Sequence, residues 1–97
     1  MATFVVLSKL TDEGAKNLRN LPEQVQANLQ RGERLGIKIQ GWYLTQGEYD
    51  IVVIADAPDA ETILAQTVAV LGTGNSHTQT LRAFTLDEFR QALQKLG

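Results

Sequence analysis

Apolar residues recur along this chain in two rhythms. Thr3 to Lys9 holds an unalternated run, Phe4-Val5-Val6-Leu7, and reads as a strand covered on both faces. Thr11 then stands as a helix N-cap, with Asp12 and Glu13 at the positive end of the helix dipole. An interruption is expected near Asn20-Leu21-Pro22, because proline lacks the N–H that a helix interior needs. Beyond it Val25, Leu29, Gly32 and Leu35 recur at helical spacing, and Gly36 stands where a helix ends. Ile37 to Leu44 alternates as a second strand, Thr45-Gln46-Gly47 reads as a short turn, and Glu48 to Ala55 reads as a third strand around Ile51-Val52-Val53-Ile54. A helix is expected from Pro58, with Ala60, Ile63, Leu64, Thr67, Val68 and Leu71 on its buried side, ending at Gly72-Thr73-Gly74-Asn75. A fourth strand runs from about Ser76 to Phe84. Thr85-Leu86-Asp87-Glu88 has the form of a capping box and opens a last helix, with Leu86, Phe89, Leu93 and Leu96 expected inward.

The order β-α-β-β-α-β plus a C-terminal helix predicts an α+β, ferredoxin-like antiparallel sheet in one domain spanning residues 1–97. Two central strands apolar on both sides, with helices for one side, leave an apolar sheet face uncovered. A homodimer stacking two such faces about a two-fold axis resolves that conflict.

The turn predicts which side chains share a face. If Thr45-Gln46-Gly47 is a three-residue loop with Gly47 at positive φ, then Leu44 opposes Glu48, Tyr43 opposes Tyr49 and Trp42 opposes Asp50. Ile37, Ile39, Gly41, Tyr43, Tyr49, Ile51 and Val53 then face the helices. Lys38, Gln40, Trp42, Asp50, Val52 and Ile54 face the partner sheet. Leu81 and Ala83 suit the helix layer, which sends Thr78, Thr80 and Arg82 to the other face. Trp42, Asp50, Thr78, Thr80 and Arg82 thus form the expected ligand-binding set: an aromatic wall, two hydroxyls and two opposite charges beside apolar Val52 and Ile54.

Three stretches carry a family resemblance: Phe4 to Gly14, Gly41-Trp42-Tyr43-Leu44-Thr45-Gln46-Gly47-Glu48-Tyr49-Asp50, and Thr78-Gln79-Thr80-Leu81-Arg82-Ala83-Phe84-Thr85. Over nearly its whole length the chain resembles GYD-domain proteins of the dimeric α/β-barrel superfamily. The family's Gly-Tyr-Asp pattern corresponds here to Gly47, Tyr49 and Asp50, with Glu48 between. The resemblance implies the ferredoxin-like fold and sheet-to-sheet dimers, and it implies no particular activity. The superfamily holds small ligand-binding domains, including effector domains of feast/famine transcription regulators. It also holds cofactor-independent monooxygenases, haem-degrading enzymes and small isomerases, and fold alone does not choose among them.

Composition narrows the classes. With 97 residues, a net charge of −2 and no cysteine, disulfides, thiolate metal sites and a Cys nucleophile are excluded. Lys and Arg are scattered, so neither nucleic acid nor a membrane surface is expected as a partner, and a cytoplasmic location is expected in the absence of a signal-peptide pattern. No metal and no cofactor are expected. His77, the one histidine, lacks ligand partners at metal spacing and reads as a solvated strand-end residue. Tyr49 reads as a packed aromatic and Asp50 as a structural carboxylate. In the functional alternative Tyr49, His77 or Asp50 handles protons. Arg82 reads equally as an anion ligand and as a partner for an acid. Gly72-Thr73-Gly74-Asn75 follows a helix, the wrong side for a phosphate cradle.

These features predict a non-catalytic, homo-oligomeric small-ligand-binding or regulatory domain, with a cleft on the sheet face at the dimer interface and a small organic ligand. A cofactor-independent monooxygenase or isomerase in the same cleft is the enzymatic alternative. A structural assembly module without ligand is the third.

Overall fold

The β-branched run at the N-terminus takes the centre of the sheet. A computed structural model describes residues Met1–Gly97. Strand β1 (Ala2–Leu10) pairs antiparallel with β3 (Ile51–Ala57) on one side and β4 (Ser76–Ala83) on the other, and β2 (Lys38–Leu44) completes the order β2-β3-β1-β4. Helices α1 (Asp12–Lys16), α2 (Leu21–Arg34) and α3 (Ala60–Leu71) join these strands, and α4 (Leu86–Gln94) follows β4. This is the ferredoxin-like βαββαβ fold with an added C-terminal helix.

Local signals place the helix ends well. The Thr11 side chain accepts the Gly14 N–H at 3.0 Å and starts α1. The interruption comes earlier than expected, at Asn17 and a 3₁₀ turn over Leu18–Asn20, because Pro22 fits within the first turn of α2. At the far end Ile37 N–H donates to the Gly32 carbonyl and Gly36 N–H to that of Glu33, a Schellman closure that delivers buried Ile37 to the core. The third helix starts at Ala60 rather than Pro58, with Asp59 as its cap. The capping box of α4 is complete: Thr85 accepts from Glu88 N–H at 3.1 Å, and Glu88 accepts from Thr85 N–H at 2.9 Å.

The hairpin differs from its expected form. Leu44 lies opposite Ile51 rather than Glu48, so Thr45–Asp50 all belong to the connection, with Gly47 at φ 123°. Asp50 is the cause. Its N–H donates to the Ser8 carbonyl (2.9 Å), its carboxylate accepts the Leu10 N–H (2.8 Å), and its carbonyl accepts from Thr45 N–H (2.8 Å). An odd displacement of the register reverses the faces of β2. Gly41, Trp42 and Tyr43 are therefore swapped relative to expectation, with Trp42 beneath the helices and Tyr43 on the open side. A bulge between Ile39 and Gly41 restores the phase, so Lys38 and Ile39 lie as expected.

Two helices also turn differently. In α3 the inward residues are Ile63, Gln66, Thr67 and Val70, while Leu64 and Val68, expected inside, are each 60 % exposed. Gln66 sets this rotation by donating to the Asn28 carbonyl of α2 at 2.7 Å. The apolar stripe of α4 is exposed rather than inward: Leu86 63 %, Phe89 56 %, Leu93 50 % and Leu96 82 %. The closed core is small. Phe4, Ile37, Ala55, Ala57 and Ile63 form it, at the end of the sheet where β1 begins and β3 finishes.

Asp50 generates a stability prediction. Asp50→Ala leaves the Leu10 N–H without its partner and is expected to cost about 1–3 kcal/mol. Asp50→Asn keeps an acceptor and should cost less. Chemical denaturation of both variants checks the order; equal losses would show that the bond to Leu10 is not the source.

Candidate functional site

The side of the sheet away from the helices is built by strict alternation. On β1 it carries Thr3, Val5, Leu7 and Lys9. Val5 lies between Ile54 and Leu81, Leu7 between Val52 and Gln79, and Thr3 between Asp56 and Ala83. The centre of this face is an apolar strip of Val5, Leu7, Val52 and Ile54, all half-buried, with exposed Leu81 beside them. Sequence patterning assigns Leu81 and Ala83 to the helix layer. They lie here instead because they oppose Val5 and Thr3, and facing residues share a side.

Polar groups close the strip at both ends. At one end the Asp56 carboxylate accepts from the Thr3 hydroxyl (2.7 Å) and from the Gln40 amide (2.6 Å), with Lys38 opposite it in the ladder. The Thr3 bond, then the Gln40 bond and the Lys38 charge hold the Asp56 carboxyl below the ordinary value of 3.8. It is thus an ionised acceptor, ill suited to taking a proton at neutral pH. At the other end the Tyr49 hydroxyl donates to Gln79 (3.0 Å), and the Lys9 ammonium lies 5.6 Å from the Tyr49 ring centre. Exposed His77 opposes Lys9 on this same end. Tyr49 does not lie beneath the helices as expected, because its place in the connection lets it reach Gln79 on the open side.

Four of the five residues of the expected ligand set lie on the helical side of the sheet rather than on the open side. Trp42 and Thr78 line a chamber under the helices, and Thr80 and Arg82 share that side because they oppose Val6 and Phe4. None of these four faces the open side, so that part of the expected geometry is corrected. Asp50 lies at the end of the β1–β3 ladder, committed to the main chain of Leu10 and Ser8. Arg82 donates to the Thr3 carbonyl (3.2 Å) and to the Ala83 carbonyl, lies 4.2 Å from the Phe84 ring centre and reaches Glu88 at 3.8 Å. It ties β4 to the start of α4. The Thr85 N–H, with Arg82 as a lesser cause, holds the Glu88 carboxyl below its ordinary value.

The chamber beneath the helices measures about 120 Å³. Val25 and Leu29 of α2, Val70 of α3, and Val53 and Trp42 of the sheet contribute apolar walls, and Gln24, Asn28, Gln66 and Asn75 add neutral polar groups. Gln66 escapes a reading of the sequence because it stands among apolar residues with no charge to mark it. Its spacing from Ile63 and Val70, in a row at helical intervals, is the signal that places it inward. Asp56 escapes because the apolar run before it reads as ending at Ala55, whereas β3 continues to Ala57. No group of three or more His, Cys, Asp or Glu side chains comes together to hold a metal ion, and no helix is long and apolar enough to cross a membrane.

Asp56 gives a pH prediction. Its folded-state pKa lies below the unfolded one, so its stabilising contribution is present above about pH 4 and is lost as pH falls through the lower folded value. An NMR titration of the Asp56 carboxyl should give a value under 3.8, and Thr3→Val should raise it. An unchanged value in Thr3→Val would remove the hydroxyl as the main cause.

Known proteins share this architecture. Residues 4–93 match the GYD domain family. A relative from Thermus thermophilus, named "Glutamine synthetase and cystathionine beta-lyase binding protein", is 38 % identical over 84 residues, which are 86 % of this chain and 88 % of that protein. The crystal structure of MtbAldR superposes with a TM-score of 0.66 at 13 % identity, covering 87 % of this chain and 52 % of that one. This chain thus spans about half of that protein, and the likeness concerns the fold. The match over almost the full length and the identity to the Thermus protein together place this chain in the GYD domain family.

Proposed function

We propose that this chain is a non-catalytic, homo-oligomeric regulatory domain that binds other proteins. The observation that carries the reading is the contiguous apolar strip of half-buried Val5, Leu7, Val52 and Ile54 with exposed Leu81 across the middle of the open sheet face. An apolar surface at the centre of a sheet, rimmed by polar groups, is stable in water when another surface covers it. A second copy is the natural cover, because the strip presents the same residues to itself across a two-fold axis. The thinness of the chain, 18 Å in its narrowest extent, is that of one sheet with one helix layer, so stacking two copies supplies the missing third and fourth layers.

Two helices carry further exposed apolar residues. Leu64, Val68 and Leu71 on α3, and Leu86, Phe89 and Leu93 on α4, are exposed, and large exposed apolar residues of this kind suit a protein partner. The Thermus relative is named for binding glutamine synthetase and cystathionine β-lyase, and enzymes of these two kinds are the clients to try first. The lack of any ionisable side chain along the chamber walls supports a binding rather than a catalytic role.

Light scattering after size exclusion is expected to show a dimer or larger assembly. Val52→Lys and Ile54→Lys should each weaken it by on the order of 2 kcal/mol while the circular dichroism of the fold persists. A wild-type chain that stays monomeric at high concentration overturns the assembly. In a surface-binding assay the immobilised chain should retain glutamine synthetase or cystathionine β-lyase saturably, and Phe89→Ser should reduce retention without dissociating the dimer. Failure to retain either enzyme sinks the assignment of these clients.

A further inference from the structure

The chamber beneath the helices lies on the opposite side of the sheet from the surface of self-association, and its chemistry is independent of the protein-binding role. We propose that it is a binding site for a small, neutral carbonyl compound, a ketone, aldehyde or ester with an apolar body. The walls exclude charge. No Asp, Glu, Lys, Arg or His side chain lines the chamber, so a charged ligand would lose its hydration without gaining a counter-ion. Val25 and Leu29 from α2, Val70 from α3, and Val6 and Val53 from the sheet suit an apolar body.

Donors without a protein partner point to the carbonyl. The helix-facing row of β1 is Phe4, Val6, Ser8 and Leu10, apolar except at Ser8. Ser8 is 6 % exposed and lies directly opposite Thr78 in the β1–β4 ladder, so the two side chains are neighbours on one face. Neither hydroxyl bonds to a protein group, and neither does the indole N–H of Trp42, which can only donate. All three residues line the chamber, and none of the three groups is sealed off as Gln66 Oε1 is. A buried hydroxyl or indole N–H without a partner is costly, and a ligand that supplies an acceptor removes that cost.

The other polar groups of the lining tip the balance the same way. The Asn28 oxygen accepts from Arg31 at 3.1 Å and the Gln24 oxygen from Asn75 at 2.8 Å, which leaves the amide nitrogens of Asn28 and Gln24 as donors. On the accepting side stand the Asn75 amide oxygen and the oxygen of Thr67, whose own proton goes to the Ile63 carbonyl at 2.9 Å. Free donors therefore predominate. Size sets the body: an apolar cavity of about 150 Å³ takes up benzene. At about 120 Å³ the chamber suits about five or six non-hydrogen atoms on the same scale.

Cyclopentanone, methylcyclopentane and pentanoate serve as probes of the full chain. Trp42 is the one tryptophan, so its single indole N–H resonance reports directly on the chamber. Cyclopentanone is expected to shift that resonance saturably, together with the amides of Ser8, Val53, Val70 and Thr78. Methylcyclopentane, of the same size without the oxygen, should bind about tenfold more weakly. Pentanoate should not bind, and its binding there would overturn the neutrality of the site. Ser8→Ala combined with Thr78→Val removes both hydroxyls with little change of volume and should bring cyclopentanone to the level of methylcyclopentane. If the double variant does not fold, Thr78→Val alone takes its place, and the two probes on the unaltered chain still decide. Equal affinity for cyclopentanone and methylcyclopentane overturns the carbonyl class. Unchanged cyclopentanone affinity in the variants overturns the hydroxyl pair as its anchor. Shifts confined to open-face residues such as Val52 and Ile54, or no saturable shift at all, overturn the site.

Discussion

The Asp50 carboxylate takes the place of a strand partner, and much of the rest follows from that. β1 extends to Leu10, but its pairing with β3 stops at Ser8 and Ile51. Past that point the Leu10 N–H is satisfied by the side chain of Asp50, and the Asp50 N–H returns to Ser8. These bonds hold residue 50 beside β1 while its carbonyl accepts the Thr45 N–H across the turn, and the β2–β3 ladder begins at Leu44 and Ile51. In that register half-buried Trp42 faces the helices, and the bulge between Ile39 and Gly41 restores the phase. A buried main-chain donor without an acceptor is costly, and here an acid satisfies it.

The second constraint is that one layer of helices cannot cover two apolar sheet faces. Ten of the 97 residues are buried, and the closed core occupies one end of the sheet. At the other end the helices stand off and leave the chamber, because α3 turns polar Gln66 and Thr67 inward and apolar Leu64 and Val68 outward. Apolar area thus remains exposed or half-buried on the open sheet face, along the chamber, on α3 and on α4. The sheet face is rimmed by Asp56, Lys9 and Tyr49, and the chamber has no charged side chain in its lining.

The Gly-Glu-Tyr-Asp stretch shows how such a site divides once folded. Gly47 turns the chain at positive φ, Tyr49 reaches Gln79 on the open side, and Asp50 closes the β1 ladder. Neighbouring residues have separate tasks, and none of them converges on a common reacting atom. Arg82 is a similar case. Of its two expected roles, anion ligand and partner for an acid, the folded chain displays the second: its guanidinium lies against Phe84 and within 3.8 Å of Glu88.

What the chain determined by itself was local. The strand runs, the capping of α1 by Thr11, the closure of α2 at Gly36, the box at Thr85 and Glu88, and the β-α-β-β-α-β order are all set by residues within a few positions of one another. The resemblance to GYD domains was equally legible, since it rests on contiguous motifs. The faces presented by β2, β4 and α3 were decided only in tertiary structure. They depend on bonds between residues far apart in the chain, Asp50 with Leu10 and Gln66 with Asn28, and on the pairing of Leu81 with Val5. The exposed stripe of α4 has the same origin: its period of apolar residues specifies a face to be buried, but not whether this chain or another supplies the cover. Periodicity reports that a surface is apolar, and only the packed chain reveals what stands opposite it.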